Sequence, residues 1–215
     1  MATTSPGATA QNAGPFVFVG ERLALDLVNS EVVVRGTHYD LIATAAHLAA
    51  WWHAAREHYP EAGLVPDHPL LTAADHAAVT AVHSLRKALR AIFSALISRE
   101  HIAAGDLTEL NRVLETGYAA IAIDPAGQPR LDLGSRDPGP EGLLLPIARS
   151  AADLLTNQDL TRLHRCGNER CVLLFYDTTK SATRRWCSTG CMNRARSSRR
   201  YRERKGAPDP SSSAA

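Results

Sequence analysis

The chain has 215 residues, of which 45% are hydrophobic and 21% are charged, and its formal net charge is +2. That length suits one domain of about 150 residues with a packed core, followed by a small module. The sequence contains neither an apolar run near the ~18 residues of a membrane span nor a charged segment before a signal-peptide core, so we expect a cytoplasmic protein with no membrane partner.

The N-terminal segment begins without any hydrophobic pattern. Residues 1–15 are small, polar and Gly/Pro-bearing, so we predict that they are disordered, as is the tail over 206–215. Residues 16–19 then predict a short strand that ends at Gly20.

Asp26 lies inside the apolar run of residues 23–28. Burying an unpaired carboxylate is costly, so Asp26 either points to solvent or forms a specific hydrogen bond. A structural bond to a nearby group is the favoured interpretation. Contact of Asp26 or Asn29 with a bound ligand is the alternative.

A helix is predicted from Asp40, as its cap, to about Tyr59. It contains the adjacent Trp51 and Trp52, which we do not expect to face one core together. One of the two is therefore a candidate for a groove or a ligand pocket, although simple core packing is the favoured alternative.

The next helix is predicted from a capping-box pattern at Thr72 and Asp75 to about His101. Its apolar residues follow helical spacing, and the basic side chains on its other side are predicted to form a solvated face. These side chains are Arg86, Lys87 and Arg90.

The rest of the body is also predicted to be mostly helical. A helix opens at Asp106 and its apolar stripe reaches Ile121, a short strand spans 130–133, and a last core helix spans 143–155. The fold class is therefore mainly α with minor β. The body carries no Gly-x-Gly-x-x-Gly, P-loop, His-Glu-x-x-His or Gly-x-Ser-x-Gly motif, so we predict that the protein is not an enzyme.

All four cysteines fall in the C-terminal quarter, as Cys166-x4-Cys171 and, after 15 residues, Cys187-x3-Cys191. Zn²⁺ takes four thiolates in a tetrahedron, and two short cysteine pairs joined by a connector supply them. We predict one structural zinc, because four thiolates leave no open position for a catalytic water. Loss of one cysteine is expected to unfold this module and to leave the body intact.

Three other interpretations of the cysteines are weaker. Two disulfides are unusual in a reducing compartment, a redox pair favours Cys-x-x-Cys spacing, and four unrelated buried thiols would not cluster so closely. His164 is a further candidate ligand, with a surface position as the favoured alternative.

The segment between the cysteine pairs predicts a hairpin in which residues 172–176 pair with a return strand at 183–186. After Cys187 a helix is predicted, capped by Ser188 or Thr189 and with Cys191 in its first turn. A knuckle, a hairpin and a helix that carries the last ligand form the plan of a treble-clef zinc finger.

The charge of the chain is unevenly distributed. Residues 162–205 contain 13 Lys and Arg but three acidic residues, a net charge of +10, whereas the rest of the chain carries −8. A compact basic end on an acidic body indicates a polyanionic partner.

The predicted last helix carries most of this positive charge, and its basic side chains point in all directions around the helix axis. Such a helix cannot pack deeply, so we expect it to project from the module or to lie against a polyanion. Arginine clamps phosphate and reads guanine, which favours nucleic-acid binding over the alternative of a solvated tail. The candidate contacts are Arg184, Arg185, Arg194, Arg196, Arg199, Arg200, Arg202, Arg204 and Lys205.

The finger sequence resembles the CGNR zinc finger in residues 174–177, in residues 184–188 and in Cys191-Met192-Asn193-Arg194 followed by a basic tail. Residues 20–30, GERLALDLVNS, are similar to the opening motif of the ABATE domain, which precedes that finger in bacterial proteins described as stress-induced transcription regulators. The chain departs from the family's name motif in having Met192 where the family has glycine. Methionine keeps the neighbouring ligand but removes any close backbone approach that glycine allowed.

The resemblance implies an ABATE-like helical body over 16–158 and a CGNR-like zinc finger over 159–205, here called the body and the finger. It implies a zinc-dependent, DNA-binding transcription regulator whose body senses an unknown small-molecule effector or forms a homodimer. The alternatives are a zinc-stabilised protein–protein adaptor and an RNA-binding protein.

Overall fold

The computed structural model describes residues 16–66, 68–72 and 76–206. Within these residues the protein has seven α-helices and three two-stranded antiparallel sheets, so the prediction of a mainly α fold with minor β is confirmed. None of the described helices is both long enough and apolar enough to cross a membrane. Residues 1–15 and 207–215, both predicted to be disordered, lie outside the described residues, whereas Gly206, predicted to belong to the disordered tail, ends a helix.

The helices are α1 Leu23–Val28, α2 Ala45–His58, α3 Pro69–Thr72, α4 His76–Ser98, α5 Ala104–Leu114, α6 Pro140–Asn157 and α7 Thr189–Gly206. The strands are β1 Glu31–Val34, β2 Thr37–Asp40, β3 Gly117–Ile123, β4 Pro129–Ser135, β5 Leu163–Arg165 and β6 Leu174–Tyr176. Each odd-numbered strand pairs with the strand that follows it.

The core forms where α4 and α6 enclose α1, whose six residues are all buried. The apolar stripe of α4 supplies Val82, Leu85 and Leu89 to this core, and α6 supplies Leu144 and Ile147. Each of these amphipathic helices has an apolar stripe that is shielded from water only when another element packs against it. The centre of the molecule is therefore a three-helix layer built around α1.

Trp51 and Trp52 are each 1% exposed, so the prediction that they would not share one core is wrong. Helix α2 is covered on two sides. The Trp51 ring lies 6.3 Å from that of Phe18, while Trp52 Nε1 donates a hydrogen bond of 2.9 Å to the carbonyl of Val65. Simple core packing, which was the favoured alternative, therefore accounts for both rings.

The basic side of α4 is not the solvated face that the sequence predicted. Arg86 is 4% exposed and donates to both carboxylate oxygens of Asp40, at 2.7 and 2.6 Å. Arg90 lies 2.9 Å from the carboxylate of Glu31, and only Lys87 is exposed. The β1–β2 hairpin supplies the two acidic partners, so the buried guanidinium of Arg86 and the half-buried one of Arg90 are each paired with a carboxylate.

Several predicted boundaries also change. Helix α2 begins after Thr44, whose Oγ1 accepts from the amide of His47, so Asp40 is not its cap. Residues 16–19 form an extended segment without a sheet partner rather than a strand. Helix α4 ends at Ser98, and the capping pattern predicted at its start lies outside the described side chains.

The stretch after α5 is a hairpin, not a continued helix. Helix α5 ends at Leu114, and Ile121 lies on β3, so the helical stripe predicted to reach it is wrong. The strand predicted over 130–133 is part of β4, and the predicted last core helix is part of α6.

Candidate metal centre

The first cysteine pair lies in the turn between β5 and β6. These strands pair His164 with Phe175, and the amide of Cys166 donates to the carbonyl of Leu173 at 2.9 Å. The turn over residues 166–171, here called the knuckle, therefore presents both cysteines from the end of one hairpin.

The predicted pairing of residues 172–176 with 183–186 is wrong, because β5 occupies the position beside β6. The return segment instead joins the knuckle through the amide of Gly167, which donates to the carbonyl of Arg185 at 2.7 Å. A β-carbon on Gly167 would lie 2.9 Å from that same oxygen, so this close approach requires glycine.

The loop after β6 is shaped by Asp177, which is fully buried. Its carboxylate accepts from the amides of Thr179 and Arg184, both at 2.8 Å. These bonds turn the chain back toward the knuckle and place Cys187 beside the first pair.

The second cysteine pair lies at the start of α7. The hydroxyl of Ser188 accepts from the amide of Cys191 at 3.2 Å, which is the geometry of a helix N-cap. The predicted cap at Ser188 and the predicted place of Cys191 in the first turn are confirmed. The helix therefore fixes the direction of the fourth thiol.

The four sulfur atoms lie within 4.8 Å of one another, and all four cysteines are free of disulfides. The Sγ atoms of Cys171 and Cys187 are 3.8 Å apart. A tetrahedral zinc with bonds of about 2.3 Å requires sulfur–sulfur edges of about 3.8 Å. Three of the cysteines are buried and Cys171 is half-buried, so this donor set fits one structural zinc ion.

His164 is not a member of the sulfur cluster. Its ring packs on that of Phe175, with 5.6 Å between the ring centres. Among the described residues, only the four cysteines form a group with metal-ligand spacing.

Hydrogen bonds to sulfur support the cluster from outside. A guanidinium nitrogen of Arg194 lies 3.1 Å from Cys191 Sγ, and the amide of Cys187 lies 3.5 Å from Cys166 Sγ. The neighbouring thiols and Arg194 lower the pKa of Cys191. Such donors offset the excess negative charge of four thiolates around a divalent ion.

Arg184, predicted to contact phosphate, has its partners within the protein. It donates to the carbonyls of Trp186 and Cys187 at 3.1 and 2.5 Å and to Glu21 at 3.0 Å, and its guanidinium lies over the Phe175 ring. Arg184 therefore ties the loop over residues 177–187, here called the metal loop, to the N-terminal segment. The adjacent Arg185 is exposed.

The exposed face of α7 carries the remaining predicted contacts that the structure describes. Arg196, Arg199 and Arg200 are exposed, and Arg202 is exposed but forms an ion pair of 3.0 Å with Glu169 in the knuckle. The side chains of Arg204 and Lys205 lie outside the described part of the chain.

Two exposed basic residues beside the first cysteine pair were not among the predicted contacts. Arg170 is exposed in the knuckle, and Arg165 lines a cavity of about 290 Å³ together with His164 and Arg185. Their positions beside Cys166 and Cys171, in a segment of net positive charge, could have indicated them as candidate contacts from the sequence.

The finger is attached to the body through Asn29, which is fully buried. Its side-chain amide donates to the carbonyl of Leu174 at 2.8 Å, and its side-chain oxygen accepts from the amide of Leu174 at 2.9 Å. Asn29 thus occupies the place of a strand neighbour for β6. Because both groups of its amide are used, the favoured structural interpretation accounts for Asn29.

Asp26 organises the same junction. Its carboxylate accepts from the amides of Val19 and Gly20, at 3.0 and 2.7 Å, and from the hydroxyl of Tyr59. The carbonyl of Gly20 in turn accepts from the amide of Tyr176 in β6, at 3.0 Å. Burial raises the pKa of Asp26 to about 6, although these donors oppose the rise. The structural interpretation of Asp26 accounts for all of these contacts.

Body and finger also share their cores. Leu163, Leu174 and Tyr176 of the finger belong to the main core of the body, while Val17 and Val19 of the N-terminal segment pack on the finger core. The finger is consequently packed against the body along β5 and β6.

Replacing Asn29 by leucine should lower the free energy of unfolding by about 3 kcal/mol, because it leaves the buried amide and carbonyl of Leu174 without partners. Urea unfolding monitored by circular dichroism measures this loss. The matched control is Asn111→Leu on the exposed face of α5, for which we expect a change within about 0.5 kcal/mol. Equal stability of the two variants would contradict the role of Asn29.

Comparison with protein families gives two matches. Residues 21–158 match ABATE, described as "putative stress-induced transcription regulator", and residues 162–205 match the CGNR zinc finger. Both resemblances are thereby confirmed, and these families are of regulator and zinc-finger type rather than enzymes. No curated protein matches the chain.

Proposed function

Because the chain belongs to the ABATE family and ends in a CGNR zinc finger, we propose that it is a DNA-binding transcription regulator. The single observation that carries this proposal is the exposed arginine surface of α7. The first turn of this helix contains Cys191 of the four-thiol cluster. We further propose that it is not an enzyme and that it acts in the cytoplasm.

In this proposal one zinc ion is bound by Cys166, Cys171, Cys187 and Cys191. A four-thiolate site is closed to substrate, so the ion contributes folding energy and not chemistry. It joins the knuckle to the start of α7, and it thereby fixes the direction in which the helix leaves the finger. The zinc requirement of DNA binding follows from that geometry.

The proposed DNA surface combines α7 with the knuckle and the metal loop. Apart from Arg194 and the ion-paired Arg202, it contains five exposed arginines whose spread along the finger suits a run of phosphates. They are Arg170, Arg185, Arg196, Arg199 and Arg200. The negative charge of the rest of the chain favours approach of DNA to the finger alone.

Arg194 is proposed as the base-reading residue. It is exposed in the N-terminal third of α7, where recognition helices meet base edges. One of its nitrogens is directed to Cys191. That bond uses one hydrogen of Nη2 and orients the side chain. The other hydrogen of Nη2 and a neighbouring N–H form an edge that is suited to the two acceptors of guanine.

The proposal is tested by measuring affinity for duplex DNA as a function of salt concentration. Each arginine–phosphate contact contributes about 0.9 to the slope of log affinity against log salt, so about five contacts predict a slope of −4 to −5. Replacing Arg199 and Arg200 together by alanine should reduce the slope by about one to two units and weaken all duplex sequences alike. Lys87→Ala on the exposed face of α4 is the matched control, with an unchanged slope.

The same titration separates the alternatives. Tighter binding to an RNA hairpin than to duplex DNA would favour the RNA-binding function. Binding that does not respond to salt would contradict a phosphate interface and favour the protein–protein adaptor.

A further inference from the structure

The β3–β4 hairpin, here called the arm, exposes an apolar face. The register places Ala119 opposite Leu133, Ile121 opposite Leu131, and Ile123 opposite Pro129, so these six side chains share one face. Ile121 is 73% exposed, Ile123 65%, Leu131 61% and Leu133 52%. These four are half of the large hydrophobic residues that are exposed in the described part of the chain.

The other face of the arm is polar and well bonded. The hydroxyl of Tyr118 donates to Asp132 at 2.9 Å, and Asp132 also pairs with Arg130 at 3.1 Å. At the base, Arg149 of α6 donates to the carbonyls of Tyr118 and Gly134. At the tip, the Asp124 carboxylate accepts from the amides of Ala126 and Gln128. The arm is therefore held in one shape, with its apolar face directed away from these bonds.

We propose that the arm is a homodimerisation surface, in which the apolar faces of two copies of this chain stack across a two-fold axis. Solvent-exposed apolar patches of this extent mark interaction sites, because a monomer gains nothing by leaving them in water. A lone two-stranded hairpin is also marginal in water unless its apolar face is covered. Stacking of two arms removes the apolar patch of each copy from water and covers the apolar face of each hairpin.

The charge and area of the face favour a second copy as its occupant. The face itself contains no charged residue, and the opposite-sign pair Arg130 and Asp132 lies on the other side, so two arms meet without strong repulsion. The four large side chains and their small neighbours expose roughly 500 Å² per chain, and a symmetric pair buries about 1,000 Å², the threshold for a specific interface. An isologous contact of this kind makes each apolar row complementary to itself.

The dimer is tested on the full zinc-loaded chain without nucleic acid, so its outcome is independent of DNA binding. Sedimentation velocity between about 1 and 100 μM should give a species near twice the 23.2 kDa of the chain. Ile121→Lys should raise the dimer dissociation constant by about 100-fold or more, because it places a charge at the centre of the contact in both copies.

The matched control is Ala120→Lys, one residue along the same strand and opposite Asp132 on the polar face. It should leave the dissociation constant within about threefold of the wild-type value. A wild-type chain that stays monomeric at about 100 μM would overturn the proposal, including the case in which a different protein covers the arm. Equal effects of the two lysines, or none from Ile121→Lys, would overturn it as well.

Discussion

Replacing Cys187 by serine is expected to abolish stoichiometric zinc binding and to unfold the finger. The wild-type protein should hold about one equivalent of zinc, and the variant should lose most of it, because a hydroxyl is a poor substitute for a thiolate ligand. Loss of a structural metal belongs to the most destabilising class of changes, so the free energy of unfolding should fall by more than about 4 kcal/mol.

The shared core extends this effect beyond the finger. The sequence alone suggested that the body would remain intact, but Leu163, Leu174 and Tyr176 of the finger are buried in the core of the body. Each such side chain contributes about 1.5–3 kcal/mol through burial, so release of β5 and β6 should destabilise the body as well. We therefore expect the thermal transition of the helices to move to lower temperature in Cys187→Ser.

Metal analysis after gel filtration and thermal unfolding by circular dichroism measure the two parts of this prediction. The control is Ser188→Ala, which removes the helix cap beside the ligand and should cost about 1 kcal/mol while zinc is retained. A Cys187→Ser protein with full zinc content would exclude Cys187 as a ligand. An unchanged helical transition would show that the body does not depend on the finger.

The sequence predicted the features of this protein that depend on short-range patterns. The cysteine spacing indicated the cluster, and the cap at Ser188 fixed the start of α7, because both involve residues a few positions apart. Asp26 was expected either to point to solvent or to form a specific hydrogen bond, because burying an unpaired acid is costly, and the structure shows the bonded outcome.

Features that depend on distant partners were not predicted. Arg86 looked solvent-exposed on α4 because its partner Asp40 lies 46 positions earlier, on a hairpin that the helical pattern does not reveal. Asn29 bonds a backbone 145 positions later, so its role follows only from the packing of β6 on the body. The two tryptophans are buried together because separate segments cover both sides of α2.

The arm illustrates an ambiguity of local pattern. Residues 117–123, GYAAIAI, contain three alanines, which favour a helix, while the alternation around Ile121 and Ile123 suits a strand. Helix α5 carries a suitable apolar stripe immediately before it, so a continued helix was the simpler prediction. Pairing with β4 decides the outcome, and this pairing is also what exposes the isoleucines on one face.

Neutralising four arginines of the proposed DNA surface is expected to have the largest effect on DNA affinity. Each phosphate contact is worth about 0.9 log unit of affinity when salt is lowered from 1 M to 0.1 M, which is close to a factor of ten. Four such losses, from glutamine at Arg185, Arg196, Arg199 and Arg200, should weaken binding by about 10³-fold or more. Glutamine is close to arginine in helix propensity, so the helix and the cysteine cluster should be retained.

The most direct test of a zinc-stabilised DNA-binding finger is therefore one comparison by fluorescence anisotropy, with a labelled duplex at about 0.1 M salt and with zinc content measured on the same samples. Both proteins should hold about one zinc, and the glutamine variant should lose about 10³-fold or more in affinity for the duplex. A variant that keeps its zinc and binds the duplex within about threefold of the wild-type affinity would contradict it.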